Sequence, residues 1–228
     1  MIKNIKEFFD KNVFDRILFG ILFIVPFVFF IIIGNYYFII YFLIILSILI
    51  DELVNATKHK IGPIKIILLS FFLIISLFHF IFIRLAYDEY IVGYILYIVF
   101  AIWIFDSFSL IGGKIIGGTK LLPIISPNKT YSGFISGFVF LFLYSIIIIY
   151  IIQSIDYLII FLTMLVGIVS FFGDALESYI KRFLNIKDFG NLIPGHGGLL
   201  DRMDAFIMLF FVHFLFMSYN INFIILYA

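Results

Sequence analysis

Long apolar segments make up most of this chain, and they restrict its fold more than any other feature. The sequence has 228 residues, of which 64% are hydrophobic and 13% are charged. A soluble domain of this length cannot bury so much apolar surface, so its natural surroundings are the hydrocarbon core of a membrane. Backbone polar groups in hydrocarbon must hydrogen-bond to one another, so the spanning segments are expected to be helices. The sequence therefore predicts an all-α integral membrane protein.

Apolar windows of about 20 residues locate the spanning helices. Residues 1–16 precede them and combine basic side chains with an apolar helical face, which predicts an interfacial amphipathic helix. No small-x-small cleavage site follows the first apolar run, so we expect that run to be kept as a span. Without an internal repeat or linker, residues 1–228 are predicted to form one membrane-embedded domain, a polytopic bundle of about seven helices. The predicted spans are 17–34, 36–50, 66–83, 91–106, 133–152, 157–173 and 205–225.

The distribution of basic residues predicts the orientation of this bundle. With a cytoplasmic N-terminus, every Lys and Arg except Arg84 falls in a cytoplasmic segment, as the positive-inside rule requires. Two polar loops, near 106–132 and 174–204, are predicted to form the active site and then face the cytoplasm, where nucleotides are found. We therefore expect a multi-pass protein of the cell membrane with a cytoplasmic active site. The net charge of +1 argues against a nucleic-acid partner, and the lack of cysteine excludes disulfides and Cys-ligated zinc.

The segment 174–204 is the densest group of polar residues in the chain. Asp201 and Asp204 are three residues apart and share one helical face. If two helix ends meet there, Asp174, Asp201 and Asp204 provide hard oxygen ligands of the kind that bind Mg²⁺ together with phosphates. Four side chains would share one face of a helix that continued past Gly173: Asp174, Glu177, Ser178 and Lys181.

Cations and glycines of the same segment suit an anionic substrate. The turn 194–198 has few side chains, so its backbone N–H groups can approach an anion, and His196 lies at its centre. The alternative is a solvated loop whose acids pair with bases that follow the positive-inside rule. The basic residues that would neutralise phosphate oxygens are Lys181, Arg182, Lys187 and Arg202.

This polar segment resembles the signature of phosphatidate cytidylyltransferases, also called CDP-diacylglycerol synthases. A second segment, Ser126 to Thr130, resembles the Ser-Pro-x-Lys-Thr loop of that family, although an ordinary turn is the alternative interpretation. The chain departs from the family pattern at Tyr131–Ser132–Gly133, where an acid often precedes the glycine. The matching signature elements are Ser178, Lys181–Arg182, Lys187–Asp188, His196–Gly197–Gly198, Asp201–Arg202 and Asp204.

The resemblance implies that CTP and phosphatidate react to give CDP-diacylglycerol and pyrophosphate. The implied cofactor is Mg²⁺, with a second cation left open, and the implied partners are CTP, phosphatidate in the cytoplasmic leaflet, membrane lipids and a second copy in a homodimer. Implied metal ligands are Asp174, Asp201 and Asp204. Implied catalytic residues are Lys181, Arg182, Lys187, Asp188, His196 and Arg202. Implied substrate contacts are Ser126, Lys129, Thr130, Ser178, Gly197 and Gly198.

Other functions are weighed against this one. A CTP-dependent kinase or transferase acting on another lipid belongs to the same broad class, whereas a transporter would place its charges at the membrane midplane. We expect His79 and His213 to be helix-packing residues. Asp51 and Glu52 close the second span and are expected to be solvated, with a supporting role at the site as the alternative, and Asp106 is a further candidate for the site.

Overall fold

The computed structural model describes residues 24–86, 90–153, 157–192 and 197–218. The predicted interfacial helix 1–16 and His196 lie outside the described residues. Within them the protein consists of helices and one small β-hairpin, which confirms the prediction of an all-α polytopic membrane protein.

Each predicted span overlaps one described helix. Five of these helices, α2 to α6 in the numbering below, are long and apolar enough to cross a membrane. The described elements are α1 (Ile24–Ile33), α2 (Asn35–Thr57), α3 (Pro63–Ala86), α4 (Tyr90–Ile115), β1 (Lys120–Leu122), β2 (Ser126–Thr130), α5 (Tyr131–Ile152), α6 (Tyr157–Phe183) and α7 (Leu200–Ser218).

Two helices extend beyond the predicted spans. The fourth span was predicted to end at Asp106, whereas α4 continues to Ile115; α6 continues past Gly173 to Phe183, as the helical spacing of Asp174 and Glu177 allowed. Apolar windows mark only the part of a helix that lies in hydrocarbon, whereas helical hydrogen bonding continues into polar residues. The predicted loops 106–132 and 174–204 are consequently not loops throughout. The first contains the last turns of α4, a glycine turn and the hairpin, and the second begins in α6 and ends in α7.

The hairpin between α4 and α5 pairs β1 with β2 in antiparallel register, with Lys120 opposite Thr130 and Leu122 opposite Ser126. Thr130 ends β2 and also begins α5, because its Oγ1 accepts a hydrogen bond of 3.1 Å from the Gly133 N–H. This is the usual action of a threonine N-cap on the first free N–H groups of a helix. The hairpin is thereby joined directly to α5.

The described residues fall into two compact units. The first contains α1 to α3 together with 184–192 and 197–203, and its core is aromatic. Phe42 lies at its centre, with ring centroids 4.8 Å from Phe38 and 4.8 Å from Phe80. The prediction of a single domain stays a prediction.

The second unit contains α4, the hairpin, α5, α6 and the part of α7 that begins at Asp204. Phe105 packs against Phe138 with ring centroids 5.2 Å apart, and Leu141 is fully buried beside them. His213 is buried in this unit and His79 in the first, as expected of helix-packing residues.

Candidate functional site

Three carboxylates of the second unit form a cluster. Asp174, Glu177 and Asp204 each place one oxygen within 4.8 Å of the others. Asp174 and Glu177 lie one turn apart on α6, which continues as a helix past Gly173, and Asp204 belongs to α7. Hard oxygen atoms at this spacing suit a divalent cation such as Mg²⁺.

Close packing of α6 on α7 brings these acids together. A side-chain carbon at Gly173 would lie 3.0 Å from the Asp204 carbonyl oxygen, 3.0 Å from the Ala205 Cα and 2.9 Å from the Met208 Cβ. Only glycine permits that approach without displacing a helix. Because Asp174 follows Gly173 directly, the same contact carries its carboxylate towards Asp204.

The electrostatics of the cluster favour a cation. Asp204 lies just before the apolar segment 205–225. Desolvation, and then repulsion from the Asp174 and Asp106 carboxylates, raise the pKa of Asp204 to about 8, while the Ala205 backbone N–H and Lys181 act in the opposite direction. Asp106 accepts a hydrogen bond of 3.0 Å from the Ser170 hydroxyl. Positive charge close to these carboxylates would therefore be stabilising.

Two lysines supply positive charge in this structure. Lys129 Nζ on β2 lies 2.7 Å from Asp174 Oδ2 and 4.6 Å from the centroid of the Phe171 ring. Lys181 Nζ lies 2.7 Å from Glu177 Oε2, one turn along α6. Each lysine thus contacts a carboxylate that is also placed to bind a cation.

The hairpin and the end of α6 contribute further predicted site residues. Ser178 donates a hydrogen bond of 3.3 Å to Asp174 Oδ1. Arg182 Nε donates to the Ile125 carbonyl at 3.3 Å and so connects α6 to the hairpin turn. Ser126 is partly buried, and Thr130 is buried with its hydroxyl acting as the N-cap of α5. Their contacts to a substrate stay predictions.

Asp201 has different contacts from the cluster, and two of them are hydrogen bonds within the first unit. Its Oδ2 accepts hydrogen bonds from the backbone N–H groups of Phe189, at 3.0 Å, and Gly198, at 2.8 Å. An acid at the start of a helix that accepts the N–H three residues before it corresponds to half of a capping box. Among the described carboxylates, the group spaced for a metal contains Glu177 and not Asp201, so the metal role of Asp201 stays a prediction.

The burial of Glu52 differs from the expectation drawn from the sequence. It was expected to be solvated, yet it is only 8% exposed, and its carboxylate accepts hydrogen bonds from Leu199 and Leu200. A signal was present in the sequence, because Glu52 follows Leu49 by three residues and precedes Leu53 on the buried face of α2. An acid at a core position of an amphipathic helix needs partners.

The other predicted site residues lie in or near the segment between α6 and α7. Gly198 is buried, and Gly197 has a φ of +86°, which favours glycine. His196 lies outside the described residues. The exposed side chains among the predicted set are those of Arg182, Lys187, Asp188 and Arg202.

Sequence comparison with known proteins identifies the family of this chain. A sequence model of the cytidylyltransferase family matches residues 54–220. Proteins named phosphatidate cytidylyltransferase are similar: that of Staphylococcus haemolyticus (strain JCSC1435) is 39% identical over 115 residues, 50% of this chain and 44% of the relative. That of Bacillus subtilis (strain 168) is 40% identical over 131 residues, which cover 56% of this chain and 49% of the relative. That of Rickettsia bellii (strain RML369-C) is 41% identical over 129 residues, which cover 51% of this chain and 55% of the relative. The chain spans about half the length of the curated relatives it matches.

Proposed function

Because this chain belongs to the cytidylyltransferase family, we propose that it transfers the cytidylyl group of CTP to phosphatidate, giving CDP-diacylglycerol and pyrophosphate. The carboxylate cluster of Asp174, Glu177 and Asp204, with Lys129 and Lys181 in contact, is the observation that carries this proposal. The names of the similar proteins support phosphatidate as the lipid.

The residues of the cluster fit Mg²⁺, since they offer three carboxylate oxygens within 4.8 Å of one another. Desolvation, followed by the Asp174 and Asp106 charges, raises the pKa of Asp204, so a nearby cation would stabilise its charged form. Asp174, Glu177 and Asp204 would hold the ion. When bound, Mg²⁺ supplies charge stabilisation to the phosphate oxygens of this reaction class. Asp201 as a further metal ligand and a second cation are separate proposals.

In the proposed reaction an oxygen of the lipid phosphate attacks the α-phosphorus of CTP, and the bond from that phosphorus to pyrophosphate breaks. The lipid phosphate is already anionic at neutral pH, so the protein needs no strong general base. Catalysis then depends on positioning and on charge stabilisation. Lys129 and Lys181 are each placed to exchange a carboxylate for a phosphate oxygen, because both already lie at the cluster. Arg182, Lys187 and Arg202 are proposed to hold the remaining phosphate charge.

The site is proposed to face the cytoplasm, with phosphatidate entering from the cytoplasmic leaflet. The support is the charge distribution of the sequence, in which Arg84 alone among the Lys and Arg residues falls on the opposite side. Cysteine substitution gives a direct test, because the chain has no native cysteine. A membrane-impermeant maleimide should label Lys58→Cys only after intact cells are opened.

The reaction is tested by pyrophosphate release from the detergent-purified protein with CTP, phosphatidate and Mg²⁺. Asp174→Asn should abolish release, because it removes a charge from the centre of the cluster. The exposed acid Asp51 provides a matched control, and Asp51→Asn should retain wild-type release. Normal turnover by Asp174→Asn would refute the assignment of the cluster.

Replacing one substrate of the assay at a time distinguishes the alternative functions. Turnover of CTP with diacylglycerol or a polyprenol, but not with phosphatidate, would indicate a different lipid substrate. Solute flux in vesicles without nucleotide turnover would indicate a transporter. A homodimer is a further proposal, and the mass of the protein–detergent complex by light scattering tests it.

A further inference from the structure

We propose that Glu52 is a positioning residue of the transfer site, acting by holding the turn that leads from residue 197 into α7. This inference rests on the proposed function, because it assigns Glu52 a part in the same reaction. Glu52 lies on α2, before the segment 54–220 that the family model matches. It does not belong to the carboxylate cluster described above.

The contact is bidentate and joins distant parts of the chain. Glu52 Oε1 accepts a hydrogen bond of 2.9 Å from the Leu199 N–H, and Oε2 accepts one of 2.8 Å from the Leu200 N–H. These N–H groups belong to the residue before α7 and to its first residue, where they have no intrahelical acceptor. A carboxylate at this end also interacts favourably with the helix dipole, and bonds to a charged acceptor are stronger than neutral ones.

Two glycines, Gly198 in the turn and Gly190 earlier in the segment, lie against the carboxylate. A side-chain carbon at Gly190 would lie 2.5 Å from Glu52 Oε1, and one at Gly198 would lie 2.6 Å from Oε2. Both positions therefore require glycine as long as Glu52 stays in place. The sequence of the turn and the carboxylate of α2 are complementary in shape as well as in hydrogen bonding.

The segment is anchored at further points within the same unit. Asp201 binds the Phe189 and Gly198 N–H groups, so Gly198 and Leu200 are held by neighbouring carboxylates. Near the end of α6, the Leu184 carbonyl accepts a hydrogen bond of 2.7 Å from Lys60 Nζ. The residues of the segment that match the family signature are Lys187, Asp188, Gly197, Gly198, Asp201 and Arg202. Release of Glu52 would alter the positions of these residues together.

The chemistry of Glu52 makes an isosteric test available. In Glu52→Gln one oxygen becomes an NH₂ group, which would face a backbone N–H and cannot accept its hydrogen bond. Glu52→Asp keeps both acceptor oxygens and the charge, although it is shorter by one methylene. Asp51→Asn removes a carboxylate from the adjacent, exposed position and is the control.

The experiment measures amide hydrogen exchange in the full-length protein and steady-state kinetics with CTP and phosphatidate. We expect Glu52→Gln to accelerate exchange at least tenfold in peptides covering residues 197–203, without faster exchange in α3. We expect kcat per folded molecule to fall at least tenfold and the KM for phosphatidate to stay within about threefold, because misplacement of catalytic groups by about 1 Å costs about a hundredfold in rate. Glu52→Asp should recover part of both effects, and Asp51→Asn should match the wild type.

Two results would overturn the proposal. Unchanged exchange at 197–203 would show that Glu52 does not hold the turn. Faster exchange throughout the unit with normal kcat per folded molecule would show a purely structural role. The exchange measurement needs no substrate, so it remains decisive for the turn even where the wild-type protein releases no pyrophosphate. A wild-type protein that releases no pyrophosphate would refute the proposed function, and with it the catalytic part of this inference.

Discussion

Gly173→Ala gives the sharpest test of how the carboxylate cluster is assembled. The new methyl group would lie 2.9 Å from the Met208 Cβ and 3.0 Å from the Ala205 Cα and the Asp204 carbonyl oxygen. Carbon atoms pack best at about 3.5–4.0 Å, so α6 and α7 would have to separate by about 0.5–1 Å. The separation acts directly on the distance between Asp174 and Asp204, which face each other across the same contact.

The expected change in unfolding free energy of Gly173→Ala follows from two opposing effects. Overpacking of this kind costs about 1–3 kcal/mol, and the higher helix propensity of alanine returns up to about 1 kcal/mol. We therefore expect a net loss of about 1–2 kcal/mol in unfolding free energy. Because misplacement by about 1 Å costs about a hundredfold in rate, we expect turnover to fall by about ten- to a hundredfold and Mn²⁺ binding to weaken.

Gly93→Ala is the matched control, since Gly93 lies inside α4 of the same unit and a side-chain carbon there would meet no atom within 4 Å. It should leave turnover and Mn²⁺ binding unchanged. Pyrophosphate release, thermal unfolding in detergent and a Mn²⁺ titration are measured for both variants. Turnover and metal affinity of Gly173→Ala within twofold of the wild type would refute the reasoning, because the acids would then tolerate separation of the helices.

Three further outcomes are expected. Lys129→Gln should tighten Mn²⁺ binding in the absence of nucleotide by about tenfold, because it removes an ammonium group 2.7 Å from Asp174, yet it should slow pyrophosphate release. Weaker Mn²⁺ binding in a titration would contradict this. Thr130→Ala should lower stability by about 1 kcal/mol through loss of the N-cap of α5. Thermal unfolding should show Thr130→Ser to be close to the wild type. Arg84→Ala should cost about 1–3 kcal/mol, because Arg84 donates hydrogen bonds to the Ile31 and Ile32 carbonyls at the end of α1. The KM for CTP should not change, and an altered KM would show that Arg84 also affects the site.

Much of the architecture could be predicted because membrane helices are specified locally. Apolar windows located all of the described helices, and charge distribution gave a predicted orientation, since both depend only on the composition of neighbouring residues. The ends of α4 and α6 were placed too early, and the hairpin between β1 and β2 was not predicted at all. Its strands are three and five residues long and contain Pro127 and Asn128, which favour a turn over a strand.

For the candidate site as well, relations within one helix could be predicted and relations between helices could not. Helical spacing correctly placed Asp174 and Glu177 on one face, because that relation holds within a single helix. Which acid of α7 joins them was a question that spacing could not answer. Asp201 and Asp204 were equal candidates in the sequence, but the described contacts engage Asp201 with backbone N–H groups and place Asp204 in the cluster.

Local chemistry therefore determined the membrane helices, the polar segments and the residue types available for phosphate and metal binding. Only the tertiary structure decided which of these residues meet. Gly173 sets how closely α6 approaches α7, and Glu52 binds Leu199 across 147 residues of sequence. The physical reason is that hydropathy and helical periodicity are properties of one segment, whereas a bidentate contact or a shared cation requires a particular distance between segments.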